Sequence, residues 1–140
     1  MNPIDFIELA DELKTSEKEA KRRTAISRCY YGAYNYLKQF FVESGIDISE
    51  SADGHKQLVD YLSHSNVTKT QIIGEQIKNL RKERNSADYN MSIQSFDKNK
   101  TQLLVVKAKN AIDNFNKINK DEQKIILSNV KQHIELKTSN

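Results

Sequence analysis

The sequence predicts an all-α protein: a helical bundle of about five to six helices, with a long second helix, in a single domain over residues 1–140. Three observations carry this reading. Pro and Gly, which punctuate sheet-rich and loop-rich chains, number only one and four. Apolar residues recur at steps of three and four along most of the chain. Hydrophobic residues make up 37% and charged residues 29%, the balance expected of long helices that each keep a wet face.

Asn2 and Pro3 read as an N-cap and a first-turn proline for a short helix carrying Ile4, Phe6, Ile7, Leu9 and Leu13. Ser16 and Glu19 form a capping-box pattern at the head of the longest element, which runs to about Ser44 and stops at Gly45. Its stripe is Ile26, Tyr30, Ala33, Leu37 and Phe40 or Phe41. Residues 46–54 have loop chemistry, and Leu58, Val59 and Leu62 indicate a short helix from about His55 to His64. Thr68 and Gln71 repeat the capping-box pattern before Ile72, Ile73, Ile77 and Leu80. That helix carries on through Arg84 to Tyr89, and residues 90–95 break the period. Leu103, Leu104, Val106, Ala108, Ile112 and Phe115 mark a further helix. Asp121 to Leu136 is a last, amphipathic one, with residues 137–140 as a frayed tail. The core is expected over about residues 4–116, with a C-terminal helix over 117–136.

Several function classes drop out. The formal net charge of +3 is too small to establish nucleic-acid binding unless the charge is clustered. One Cys excludes an internal disulfide and a Cys-based zinc site, and fits a reducing, cytoplasmic setting. The longest apolar run, Leu103 to Val106, is far short of the roughly 20 residues of a membrane span. Asp5 and Glu8 stand where a signal peptide would carry basic and apolar residues. No GxGxxG, P-loop, GxSxG or HExxH occurs, so no cofactor is expected. His55, His64 and His133 are separated, without metal-ligand spacing, so no metal site is expected. His64 reads as a charge partner at a helix end and Cys29 as a buried, inert thiol. The C-terminal lysines interleave with Asp121, Glu122 and Glu135, as on a solvated face.

Two stretches could carry chemistry. In residues 21–31, Arg23, Ser27, Tyr30 and Tyr34 fall on neighbouring helical positions, with Tyr31 close to Ser27. Arg offers charge and forked donors and Tyr offers stacking, the needs of a phosphate-and-base surface. Tyrosines packed at a helix interface are the commoner explanation of such a pattern. In residues 80–89, Arg84 and Asp88 stand four apart and can pair across one turn. Here charged and small residues, Arg81 among them, interrupt an apolar helix, and Tyr89 follows the acid directly. Such a set can hold an Arg against a phosphate and steer a 2′-hydroxyl.

Taken in order, these pieces resemble the HEPN family. Residues 23–34, with Arg23, Ser27, Arg28, Tyr30 and Tyr31, look like the long-helix signature of that family. His55 leading Leu58, Val59 and Leu62 resembles its next piece, and residues 84–89 are similar to the Arg-x-x-Ala-Asp-Tyr ending of one HEPN branch. The resemblance covers roughly residues 4–116. It implies an up-and-down bundle of four or five helices with extra short ones, and a homodimer with the Arg-bearing helices facing one another. It further implies a metal-independent ribonuclease, or a degenerate relative, of a toxin–antitoxin, phage-defence or related system, with a cognate antitoxin or defence protein as a possible partner.

In the active branch an Arg and a His, separated by four to six residues, act on the RNA across the dimer. The corresponding positions here, Tyr89, Asn90 and Met91, hold no His. Phenol in place of imidazole removes the group that titrates near neutrality. The resemblance therefore implies Arg84, Asp88 and Tyr89 at the reaction centre, with RNA or a nucleotide bound by Arg23, Ser27, Arg28, Tyr31, Arg81 and His55. At the start of its helix His55 also has an adequate structural role. The alternative is a non-catalytic module that binds a partner protein or a nucleotide. A plainer third reading has both motifs only knit the dimer together.

Overall fold

A computed structural model describes residues 1–92 and 96–139 of the chain. It contains six helices and, among the described residues, no strand. They are α1 (Ile4–Leu13), α2 (Glu19–Glu43), α3 (Asp53–Ser63), α4 (Thr68–Tyr89), α5 (Lys98–Asn116) and α6 (Lys120–Thr138). The all-α bundle with a long second helix is thus as expected. None of the helices is long and apolar enough to cross a membrane.

The 25-residue α2 is the spine of the bundle. α1 and α5 pack on it, α4 lies against both α2 and α5, and α3 lies against α4. Ile26, Tyr30, Ala33, Leu37 and Phe41 of the expected stripe are buried, and Phe40 packs half-buried at its edge. Ile73, Ile77 and Leu80 of α4 meet them, as do Leu104, Val105, Ala108 and Ile112 of α5. Ile72, Leu103 and Val106, counted with those stripes in the sequence, face outward.

α2 ends in a Schellman turn. Gly45 takes φ 86°, Gly45 N donates to Val42 O at 3.1 Å and Ile46 N to Phe41 O at 2.9 Å. Phe41 and Ile46 are both buried, which supplies the apolar contact of that motif.

The helix starts depart from the sequence reading. Ser16 and Glu19 form no capping box: α2 starts at Glu19, Ser16 Oγ accepts from Lys18 N at 3.2 Å, and Glu19 pairs with Arg23. Thr68 and Gln71 form none either, because the Gln71 amide turns back to donate to Ser63 O at 3.2 Å. The working caps are Asn2, which accepts from Ile4 N, then Asp97 and Asn119. Asn119 forms a full capping box with Glu122. α3 begins two residues before His55, and α6 runs through Thr138, so Lys137 and Thr138 are helical rather than frayed. Ser95, in the expected break, and Asn140, in the expected tail, lie outside the described residues.

Candidate nucleic-acid interface

α3 and the end of α4 converge beside the middle of α2. Tyr31, Tyr34, Asn35 and Lys38 come from α2, and Ser51, Ala52 and His55 from the start of α3 and the turn before it. Arg81, Arg84 and Tyr89 come from the last turns of α4. Together with Glu50 they line an open groove of about 440 Å³. A hollow of similar size between α4 and α5, beside Gln76, Leu80 and Leu104, has no comparable gathering of cations and rings.

Close packing of α3 sets the groove floor. A Cβ on Gly54 would stand 2.1 Å from Ser49 O and 2.7 Å from the Tyr34 hydroxyl. Only glycine admits that approach. The next residue, His55, is thereby pressed onto Tyr34, with ring centroids 4.2 Å apart. Its Nδ1 lies 2.6 Å from the Tyr30 hydroxyl. The Tyr30–His55 contact holds an imidazole at the groove, from another helix than Arg84 and within one chain.

Arg84 is held on several sides. Its Nε pairs with Asp88 Oδ2 at 2.9 Å, its guanidinium donates to the Tyr31 hydroxyl, and it donates to Asn85 Oδ1 at 2.9 Å. The same group lies over the Tyr31 and Tyr89 rings, at 4.8 and 5.6 Å from their centroids. Ser27 Oγ donates to Asp88 Oδ2 at 3.2 Å, so the acid is fixed from α2. Lys38 pairs with the exposed Glu50 at 3.0 Å. Among the described residues no acid pairs with Arg81, and its buried Nε has no hydrogen-bond partner. The groove thus presents one uncompensated guanidinium beside two paired cations.

These charges act on His55. Burial and the nearby Arg81, Arg84 and Lys38 lower its pKa to about 4, so the ring is neutral at pH 7. Burial raises the Tyr30 hydroxyl well above the ordinary phenol range, so it remains protonated.

Of the sequence-predicted site residues, Arg84, Tyr89, Tyr31, Arg81 and His55 line the groove, and Asp88 and Ser27 brace it from behind. Arg23 and Arg28 do not reach it. Arg23 is buried, and its NH1 donates to the carbonyls of Ala87 at 3.1 Å and Asn90 at 2.8 Å, closing the end of α4. This is charge placed where a helix leaves unpaired carbonyls. Arg28 instead lies over the Phe6 ring of α1, 5.7 Å from its centroid. Arg22 likewise serves the fold, donating to the carbonyls of Phe96, Ser16 and Glu17. The stretch read as a phosphate surface is thus split, with its arginines anchoring segments, Tyr31 lining the groove, and Ser27 and Tyr30 bracing Asp88 and His55 from behind. Cys29 is fully buried, its thiol pushed up to about 12 by burial.

Sequence reasoning found Tyr34 but missed Lys38 and Glu50 as groove residues. Lys38 and Tyr34 stand four apart, and Tyr31 precedes Tyr34 by three, which puts all three on one face. It also held the histidines apart. Instead His64 and His133 stack with centroids 3.8 Å apart, both beside Asp60.

No family model and no solved structure matches the chain. The chain is 29% identical over 106 residues to an uncharacterized protein of Methanocaldococcus jannaschii, a match covering 64% of each chain. The match thus spans less than two thirds of that relative's length.

Proposed function

We propose that the chain is a HEPN-type cytoplasmic protein that binds single-stranded RNA in the groove between α2, α3 and α4. The observation that carries this is Arg81, an uncompensated guanidinium set among Tyr31, Tyr89 and His55. A guanidinium draws a phosphate, exposed rings accept unstacked bases, and the volume suits about one nucleotide at a time. The site also supports a metal-independent cleavage of the phosphodiester. Neutral His55 would take the proton of the 2′-hydroxyl on Nε2 as that oxygen attacks phosphorus. The bond from phosphorus to the 5′-oxygen would break, leaving a 2′,3′-cyclic phosphate, and the 5′-oxygen would take a proton from water. Arg84 would stabilise charge developing on the phosphate. A homodimer would bring a second groove alongside the first, and an antitoxin or defence protein would occupy the same surface.

The test is fluorescence anisotropy with labelled oligoribonucleotides, run beside a cleavage assay in chelator. Binding that weakens with salt and is lost in Arg81→Ala supports the RNA reading. Cleavage abolished by both His55→Ala and Arg84→Ala supports the enzyme. Salt-insensitive binding, or none, sinks the RNA reading and leaves a protein partner as the alternative.

A further inference from the structure

α3 carries a second chemically competent set at the end remote from His55. Asp60 and His64 stand one turn apart at the C-terminus of this helix, and His133 reaches them from α6. His64 Nδ1 lies 3.2 Å from Asp60 Oδ1, and His133 Nε2 lies 2.9 Å from Asp60 Oδ2. The two imidazoles are nearly parallel, with 10° between their planes. One ligand atom from each of the three residues falls within 4.8 Å of the others. Donors that share a tetrahedral ion at bond lengths of about 2.0–2.2 Å stand about 3.3 Å apart. The cluster therefore already has nearly the separation that a shared ion requires.

We propose that Asp60, His64 and His133 bind a divalent transition-metal ion, zinc by their donor set, and that the ion fastens α6 to α3. Two imidazoles and one carboxylate suit zinc and its neighbours rather than magnesium or calcium, which take oxygen. Three protein donors leave one position for water. Two other features fit this role. α6 buries only Ile126 and Val130 fully, with Leu127 and Ile134 packed half-buried beside them, and polar bonds add to its hold, among them Asn129 Nδ2 to Ser65 O at 2.7 Å. Lys137 Nζ sits 2.8 Å from Asp60 Oδ2 on a side chain 61% exposed, so this ammonium occupies the cation position and can withdraw into solvent. His64 Nδ1 also lies 2.9 Å from Asp60 O, a bond that coordination through that nitrogen would exchange for the ion.

The experiment is calorimetric titration of zinc chloride into the chelator-stripped full chain, with thermal melts in parallel and circular dichroism to verify each variant. One equivalent should bind and raise the melting temperature. His133→Ala and the more exposed His64→Gln should each weaken binding by at least about tenfold, the loss typical even of outer-shell partners. Lys137→Gln should tighten it. Absence of binding by the unsubstituted chain, binding that survives both histidine substitutions, or weaker binding in Lys137→Gln overturns the proposal. RNA binding enters none of these readings.

Discussion

The Tyr30 hydroxyl and His55 Nδ1 meet at 2.6 Å across the junction of α2 and α3. Tyr30 is buried and its ring lies 5.6 Å from that of His55, so the imidazole is fixed by contact as well as by the bond. With Nδ1–H as donor to the hydroxyl oxygen, the lone pair on Nε2 is left free to accept a proton in the groove. Tyr30 is a positioning residue in this arrangement, acting on the groove through His55.

Tyr30→Phe keeps the ring and removes the bond. Its expected cost is about 1 kcal/mol of stability, measured by urea denaturation. The His55 ring should also lose its single orientation, visible as broadened or shifted imidazole resonances. A His55 spectrum identical to that of the parent chain would show that the bond positions nothing.

The lowered pKa of His55 makes stability depend on pH. Between about 4 and the ordinary 6.5 the unfolded chain binds more protons than the folded one. Stability is therefore full above this window and falls as pH drops through it, by on the order of 1 kcal/mol after solvent screening. His55→Gln should flatten that part of the curve. Inorganic phosphate or an oligoribonucleotide in the groove should raise the His55 midpoint by offsetting Arg81, Arg84 and Lys38. An NMR titration checks both; a midpoint near 6.5 that is insensitive to anions contradicts the groove electrostatics.

Arg23 and Arg81 should separate cleanly under substitution. Arg23→Ala removes charged donors from the carbonyls at the end of α4 and is expected to cost about 2–3 kcal/mol. Arg81→Ala leaves no acid behind and should change stability by less than about 0.5 kcal/mol. RNA affinity per folded molecule should show the reverse order. Chemical denaturation paired with anisotropy reads both, and equal effects on binding would place Arg23 at the groove after all.

Gly54→Ala must push the first turn of α3 away from Ser49 O and Tyr34, since a methyl has no room at 2.1 Å from a carbonyl. A loss of about 1–3 kcal/mol is expected, with the His55–Tyr34 stacking disturbed. Gly45→Ala, strained by φ 86° but in open space, should cost about 1 kcal/mol and leave the groove unchanged. Melting curves and the His55 resonances distinguish the two.

The helices were legible because each writes its own period into the sequence. The stop at Gly45 was legible because a left-handed residue there has a local signature. Capping boxes were less so: Ser16 and Thr68 match the pattern, yet neither side chain caps its helix, because Glu19 turns to Arg23 and Gln71 to Ser63. Arg84, Asp88 and Tyr89 could be found since they share one helical stretch. The placement of His55 against Tyr30, and of His133 against His64, depends on how separate helices pack. No local spacing records that. Arg23 misled for a related reason, as an arginine beside tyrosines looks the same whether it faces solvent or a carbonyl 67 residues further on.

That long-range bond also sets an order of assembly. Arg23, near the start of α2, closes α4 through carbonyls 64 and 67 positions later, so the turns bearing Arg84 and Tyr89 acquire their anchor only after a large loop is closed. Isolated helices can form in under about a microsecond, but this junction waits for the tertiary encounter of α2 with α4. The groove is a late product of folding, and its amides should exchange with solvent in step with the opening of that junction rather than with local fraying of α4.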